Sequence, residues 1–280
     1  MNRRSFMSLL SAAGLLLLKP VKTMAGVWER GYRKLWHKNI FTQDTVDISM
    51  LAQQRIAARV DGQWRQYALC ALPDSFITWN LSSRRKSLSN MMNRTGGFEL
   101  SGPHSGMVAS YGAKRKDSLF SLNNAVKGMG LAPKQQYVKE WIAYMQAHME
   151  DDPMQKLRWL LERYENADFF DFSCMTSLEL YSTPSFETHT FLNVMANPVT
   201  TTVFLDNPSF EVRAITRIVH PEDTQASAYE KDLLQYVNLV HSFFHGHFSK
   251  IFPLLVFHVV EVFDNSPGKM RGVRQAPPLP

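Results

Sequence analysis

The chain has 280 residues, of which 45% are hydrophobic and 20% are charged. These proportions are those of a soluble folded protein, and they exclude an intrinsically disordered chain. The net charge of +6 includes four basic and no acidic residues within positions 1–25, so the remainder carries only 6 − 4 = +2. Because no basic stretch is interleaved with aromatic residues, this small excess predicts no nucleic-acid partner.

The first 25 residues are typical of an export signal. A basic start precedes an apolar run of 12 residues, Met7 to Leu18, which is too short to span about 30 Å of hydrocarbon. The pair Arg3-Arg4, with Phe6 two places later, resembles the twin-arginine motif. That resemblance implies the twin-arginine export machinery as a partner, a periplasmic or otherwise exported location, and no stable membrane span after signal removal. An ordinary secretory signal or an uncleaved anchor is the alternative.

The following region, 26–164, is expected to hold N-terminal helices, a hairpin and a loop-rich part. Residues 26–41 are basic and aromatic with helical spacing, and 53–72 alternate around an Asp61-Gly62 turn, which predicts a hairpin. Residues 81–130 contain seven glycines and two basic clusters, at 84–86 and 114–116, which favour a glycine-rich loop insertion able to cradle an anion.

The second half reads as a mixture of helices and strands. Helices are predicted near 138–145 and 157–164, strands on both sides of a short segment within 168–219, then a helix over 227–244 and a buried strand over 251–263. The fold class expected is therefore α+β, with a mostly antiparallel, split-barrel-like sheet over 165–270, flanking helices and an extended tail at 271–280. Cys70 and Cys174 both lie in apolar contexts, so two buried free thiols are favoured over a disulfide.

A first candidate site consists of histidines near the end of the predicted helix. His241 and His245 are four residues apart, a separation that lets two imidazoles reach one ion, and His247 follows. No acidic residue lies between the first two, so the zinc-protease motif is absent. These histidines predict a haem or transition-metal site, and the alternative is that His241 is a hydrogen-bonded core residue.

The second candidate lies in the stretch THTFLNVMANP, residues 188–198, which is followed by two strand-like runs. Asn193-Val194-Met195-Ala196-Asn197-Pro198 resembles the N-[L/V]-x-x-N-P pattern of the FMN-binding split barrels, the pyridoxamine-phosphate-oxidase-like superfamily. The resemblance covers about residues 165–265. It implies a small-molecule cofactor, FMN, and a homodimer, with the phosphate or ribityl contacts made by Thr188, His189, Thr190 and Asn193.

One position departs from that family. A Lys or Arg usually stands three residues before the first Asn, and this chain has Thr190 there. The expected charge partner of the phosphate is then missing, and Arg213, Arg217 or the basic loops are the candidates to replace it. The leading hypothesis is an exported FMN-dependent redox protein. The alternatives are a periplasmic haem- or metal-binding protein and a non-catalytic binding or structural protein.

Overall fold

The structure is a computed structural model that describes residues 34–95, 101–268 and 271–278. Within these ranges the chain forms an α+β fold in which five α-helices flank a large antiparallel sheet. The predicted export signal lies outside the described residues. The helices are α1 Asp74–Asn93, α2 Gln135–Ala147, α3 Pro153–Tyr164, α4 His189–Ala196 and α5 Ala228–His245.

The strands form three sheets, all with antiparallel pairing. The two small sheets are β1-β2 and β3-β4-β5, and the large one has the order β7-β6-β10-β11-β12-β9-β8, with β13 also paired to β12. The strands are β1 Trp36–His37, β2 Ile40–Phe41, β3 Val46–Asp47, β4 Arg55–Val60, β5 Gln63–Ala68, β6 Ser105–Ser110, β7 Asn123–Gly128, β8 Gly130–Pro133, β9 Phe170–Leu178, β10 Val199–Phe204, β11 Phe210–Val219, β12 Leu254–Asp264 and β13 Val273–Ala276.

The large sheet curls into a half-barrel, which is compatible with a split-barrel fold. Its two terminal strands in the pairing order, β7 and β8, are consecutive in the chain and separated only by Met129. The chain therefore bends at Met129 from one edge of the sheet to the other. Lys127 on β7 reaches Glu179, the residue after β9, with 2.6 Å between Nζ and Oε2. We call the gap between β7 and the end of β9 the seam.

Apolar side chains bury both faces of the sheet. One cluster covers one face of the sheet with side chains from α1, α4, β11 and β12, including Phe76, Phe191 and Phe257. A second cluster packs α2, α3 and α5 on the other face, where Trp141 and Leu233 are buried. This double burial explains why β12 reads as continuously apolar and why β11 is almost wholly buried.

The hairpin predicted within 53–72 is confirmed. The predicted N-terminal helix is wrong where the structure describes it, because the chain forms a second hairpin there. β4 and β5 pair on both sides of Asp61 and Gly62, as the turn chemistry indicates. Residues 36–41 form β1 and β2 instead of a helix. The reason is local, since Lys38 and Asn39 adopt positive φ angles of 49° and 67°, the conformation that a tight hairpin turn requires.

Residues 81–130 are more ordered than the expected loop insertion. They include most of α1 and the whole of β6 and β7, so the half-barrel draws strands from both sides of the predicted boundary at residue 165, and β13 lies in the predicted tail. Close packing explains part of the glycine content. A Cβ on Gly106 would come within 2.6 Å of Thr202 and 2.7 Å of Met129, so at this point glycine lets neighbouring parts of the sheet approach.

Arg84, from the first of the two basic clusters, is a buried structural residue. Its guanidinium donates to Asn80, to the carbonyls of Pro103 and Met129 at 2.8 Å, and lies 3.0 Å from His104 Nδ1 and 3.4 Å from the Tyr164 hydroxyl. Five neutral partners match the five N–H groups of an arginine. This side chain therefore ties α1 to the bend at Met129 and has no donor left for an anion.

The two cysteines are free thiols, as predicted. Cys174 is buried on β9 and Cys70 is half-buried. Burial raises the pKa of the Cys70 thiol to about 11 and raises that of Cys174 well above its usual value. Both sulfurs are therefore held as unreactive thiols near neutral pH.

The buried histidine His258 predicts a loss of stability in mild acid. Burial lowers the pKa of His258 to about 4. Its imidazole stays neutral in the folded protein, while in the unfolded chain it takes up a proton below pH about 6.5. Stability therefore falls as the pH falls, by about 2 kcal/mol from this histidine between pH 7 and pH 5.

Denaturant unfolding at the two pH values measures this effect. The variant His258→Leu is expected to remove this contribution, whereas the variant of an exposed histidine, His37→Gln, keeps all of it. The same fall in His258→Leu as in the wild-type chain would contradict the assignment.

Candidate functional site

The stretch singled out in the sequence forms α4 and its N-terminal cap. Thr188 Oγ1 accepts the N–H of Phe191 at 3.1 Å, so the helix begins at His189. Asn197 is extended, and Pro198 cannot continue the helix. The predicted short segment between strands is confirmed as a helix of eight residues, most of whose side chains are buried.

The cap is joined to the ion pair that closes the seam. Glu179 is fully buried and binds Lys127 through Oε2. Its other oxygen, Oε1, accepts the backbone N–H of Ser182 at 3.2 Å and lies 3.1 Å from the Ser182 hydroxyl and 3.2 Å from that of Thr188. Because a buried carboxylate is stable only when it is paired and hydrogen-bonded, these donors fix the start of α4 against the seam.

A cavity of about 490 Å³ lies in the seam next to this cap. Its lining combines charged, polar and apolar side chains, and it includes three of the predicted cofactor-binding residues. The lining residues are Arg115, Asp117, Ser118, Asn123, Ala125, Val126, Lys127, Gly128, Leu178, Leu180, Tyr181, Thr188, His189 and Thr190. Its volume falls within the range of roughly 300–1,000 Å³ that is usual for small-molecule sites.

Two side chains of α4 hold the first end of the loop over residues 111–122, which joins β6 to β7. Asn193 Oδ1 accepts the N–H of Ala113 at 2.8 Å, and its amide nitrogen donates to the Ser110 hydroxyl at 3.2 Å. His189 Nε2 lies 2.9 Å from the Ala113 carbonyl oxygen. Asn193 is completely buried, so its polar atoms serve the fold and do not reach the cavity.

Thr190 of α4 holds the second end of the 111–122 loop, where β7 begins. Thr190 Oγ1 accepts an N–H from the Asn123 side chain at 2.9 Å. Gly112 packs directly on Asn197, where an added Cβ would come within 2.7 Å of the asparagine Cβ, and its φ of +120° also favours glycine. Helix α4 therefore clamps both ends of the loop, a role that sequence reasoning missed because the partners are 67–85 residues away.

Of the expected cations, one from the basic loops lies at the cavity and the two arginines of the strand do not. Arg115 and Lys127 line it, whereas Arg213 and Arg217 do not. Arg115 pairs with Asp117 at 2.6 Å, and its guanidinium lies 5.7 Å from the centre of the Phe186 ring. The basic cluster at 114–116 was the available sequence signal for Arg115, and Lys127 carried no signal.

The two predicted counter-charges have other partners. Arg213 is exposed and pairs with Glu211 at 2.7 Å and Glu261 at 3.4 Å. Arg217 is buried between Asp223 at 2.8 Å and Glu230 at 3.3 Å, and it also donates to the Gln43 carbonyl. The Arg217 cluster thus joins β11 to the start of α5, where Ser227 and Glu230 form a capping box.

The contacts of His241 and His245 do not support the predicted metal or haem site. His241 Nδ1 lies 2.9 Å from the Val237 carbonyl oxygen, and the centres of the His241 and His245 rings are 6.0 Å apart. Over the residues that the structure describes, no group of three or more His, Cys, Asp or Glu side chains is arranged to hold a metal ion. Metal or haem binding by His241, His245 and His247 stays a prediction.

No protein-family model matches this chain, and no curated protein matches it significantly. The fold and the candidate site are therefore inferred from the structure alone. Among the described helices, none is long and apolar enough to cross a membrane.

Because Asn193 of α4 holds one end of the 111–122 loop, we expect Asn193→Ala to loosen this loop. Loss of the two hydrogen bonds to Ala113 and Ser110 should increase local opening on the order of tenfold. Trypsin cuts after Lys114, Arg115 and Lys116, so the rate of cleavage at these bonds measures the opening. Asn124→Ala, at an exposed position of β7, is the control and should leave the rate unchanged. Equal rates in Asn193→Ala and the wild-type chain would contradict the clamp.

The seam pair predicts a large asymmetry between single and double variants. Lys127→Met leaves Glu179 buried without its charge partner and should lower the free energy of unfolding by about 3 kcal/mol. Adding Glu179→Gln removes the unpaired charge and should recover part of that loss. Lys139→Met, which alters a largely exposed lysine, should change little. Denaturant titrations of the four chains give these energies, and a Lys127→Met loss no larger than that of Lys139→Met would contradict the role of the pair.

Proposed function

We propose that the seam cavity binds a small molecule that carries a phosphate and an apolar ring system, with FMN as the ligand to which the sequence resemblance points. The observation that carries the proposal is the meeting of two features in one cavity. Thr188, His189 and Thr190, which were singled out by the motif, line the same space as Arg115 and Lys127. The positive charge that the motif lacks at Thr190 is thus supplied from β7 and the 111–122 loop.

The lining contains both kinds of group that such a ligand needs. Arg115, Lys127 and Asn123 provide cationic and amide donors, and arginine is well matched to phosphate oxygens. Leu178 and Leu180 provide apolar surface for a ring. Arg115 is paired with Asp117 and Lys127 with Glu179, so a phosphate would share these two cations with the two carboxylates.

The start of α4 adds backbone donors on the polar side. The first N–H groups of a helix have no partner within it, and they favour anions. In α4 the N–H of Phe191 is taken by Thr188, while those of His189 and Thr190 receive no acceptor from the described residues. The hydroxyls of Thr190 and Thr188 are hydrogen-bonded to Asn123 and Glu179, so these side chains form part of the cavity wall. The backbone amides are the groups that would bind the phosphate.

In this arrangement Arg115, Lys127 and the α4 amides would hold the phosphate, and the Leu178 side of the cavity would contact the ring. A bound flavin supplies electron or hydride transfer. Export through the twin-arginine route accords with this function because that route carries proteins that are already folded, often around an inserted cofactor. Membership of the split-barrel superfamily and the exported location belong to the same proposal.

Comparing FMN with riboflavin, which lacks the phosphate, tests the function. The wild-type chain should bind FMN more tightly than riboflavin. Arg115→Gln should weaken FMN binding on the order of tenfold and leave riboflavin binding nearly unchanged, because only the charge-assisted contact with the phosphate is lost. Arg213→Gln, the matched control at a position outside the cavity, should bind both ligands as the wild-type chain does.

Quenching of flavin fluorescence during titration gives the six dissociation constants. An equal loss for FMN and riboflavin in Arg115→Gln would show a collapsed loop and not a phosphate contact. A wild-type chain that binds neither flavin, and is purified without flavin absorption bands, would reject the flavin assignment.

A further inference from the structure

The most exposed apolar side chains of the described residues lie together on one short stretch. Leu119 is 89% exposed, Phe120 73%, Leu122 66% and Val126 64%, and no other large hydrophobic side chain there exceeds 60%. The first three lie on the 111–122 loop and the fourth on β7. Clustered exposure of this kind marks an interaction surface, whereas scattered exposed residues are ordinary. We call the segment 118–122 the loop tip.

The backbone of Phe120, in the middle of the loop tip, is already hydrogen-bonded. The Ser118 hydroxyl donates to the Phe120 carbonyl oxygen at 2.9 Å and accepts the Phe120 N–H at 3.3 Å, while the Ser118 N–H bonds to the Arg115 carbonyl. Moving an unpaired backbone group out of water is costly. Because both backbone polar groups of Phe120 have partners, this residue loses little by entering an apolar environment.

Positive charge flanks these apolar residues. The segment 114–122 has three basic residues against Asp117, which gives 3 − 1 = +2, and both Lys114 and Lys116 are exposed. The base of the loop is fixed on α4 by Asn193 and His189. A tip of leucine and phenylalanine on a fixed base, with lysines beside it, presents an apolar wedge and cations to one partner.

We propose that the 111–122 loop docks this protein on an anionic lipid membrane, with Leu119 and Phe120 entering the interface and Lys114 and Lys116 meeting the lipid headgroups. Each basic residue near an anionic membrane surface contributes about 1 kcal/mol, and buried apolar side chains add to this. A second copy of the chain is the main competitor, and it is disfavoured because two loops of net charge +2 repel each other. The proposal is independent of what the seam cavity binds.

A fluorescent label at the tip tests the proposal in the full chain. Leu119→Cys is labelled with acrylodan, which reacts slowly with the native thiols because their pKa values are raised. Leu205→Cys is the matched control, since Leu205 is also exposed. The pairing of Phe204 with Gly106 and of Thr200 with Ser110 puts Leu205 at the opposite end of the sheet from the loop. A comparison of the two labels separates loop insertion from any membrane binding by the N-terminal segment.

Vesicles of phosphatidylcholine with about one-third phosphatidylglycerol, and vesicles of phosphatidylcholine alone, are added to each labelled chain. The expected result is a blue shift of the Leu119→Cys label on the anionic vesicles alone, with no shift of the Leu205→Cys label. Adding Lys114→Ser and Lys116→Ser should raise the lipid concentration at half-maximal shift on the order of tenfold, and Phe120→Ser should raise it similarly.

Three outcomes would overturn the proposal. The first is that neither vesicle shifts the Leu119→Cys label. The second is an equal shift of both labels, which would place the contact elsewhere in the chain. The third is a concentration-dependent shift without lipid, together with a dimer in sedimentation that Leu119→Ser makes monomeric, which would assign the tip to a second copy.

Discussion

The pair between Lys127 and Glu179 is the contact on which the rest of this structure depends. It joins β7 to the end of β9 at 2.6 Å, where the half-barrel would otherwise stay open. Both groups are removed from water, and burial of an isolated charge costs several kcal/mol, so neither is tolerated there without the other. The pair therefore holds the two sides of the seam together, and Lys127 is also one of the residues that line the cavity.

The same carboxylate organises the polar contacts that lead away from the seam. Glu179 binds Ser182 and Thr188, Thr188 caps α4, and α4 holds the 111–122 loop through Asn193. Each step is a hydrogen bond between buried or half-buried groups, for which the loss of a partner is costly. The loop, although long and rich in polar residues, is thus anchored by its connection to the core. The two ends of the loop, on either side of its exposed apolar tip, are accordingly fixed to α4.

Sequence patterns were sufficient for the elements whose signal is local. Asp61-Gly62 predicted the β4–β5 hairpin, and the apolar spacing of Leu233 and Val237 predicted α5. The hairpin at 36–41 was missed because the aromatic spacing suggested a helix, whereas the left-handed conformation of Lys38 and Asn39 settles the local structure. The prediction was weakest for β6 and β7, whose glycines resemble loop residues, and Gly106 of β6 is explained only by Thr202 and Met129 packed against it.

The candidate site shows the same limit. The motif located one wall of the cavity, at Thr188 to Thr190, because these residues are adjacent in sequence. It did not locate Lys127, whose partner Glu179 is 52 residues away, or the role of Asn193 as a clamp. A polar residue in a motif binds a ligand or its own fold depending on what is buried beside it, and only the tertiary structure supplies that information.

Thr190 is a residue of the motif region whose polar group binds the fold, and this bears on the binding of an anion. At the position where the resembling family has a basic residue, the hydroxyl of Thr190 accepts a hydrogen bond from Asn123 and ties α4 to β7. The strand held in this way carries Lys127, and the loop that precedes it carries Arg115. The cationic side chains at the cavity therefore come from the other elements that line it and not from position 190, while the amides at the helix start keep their preference for an anion. The absence of a basic residue at position 190 is accordingly not by itself an argument against an anionic ligand.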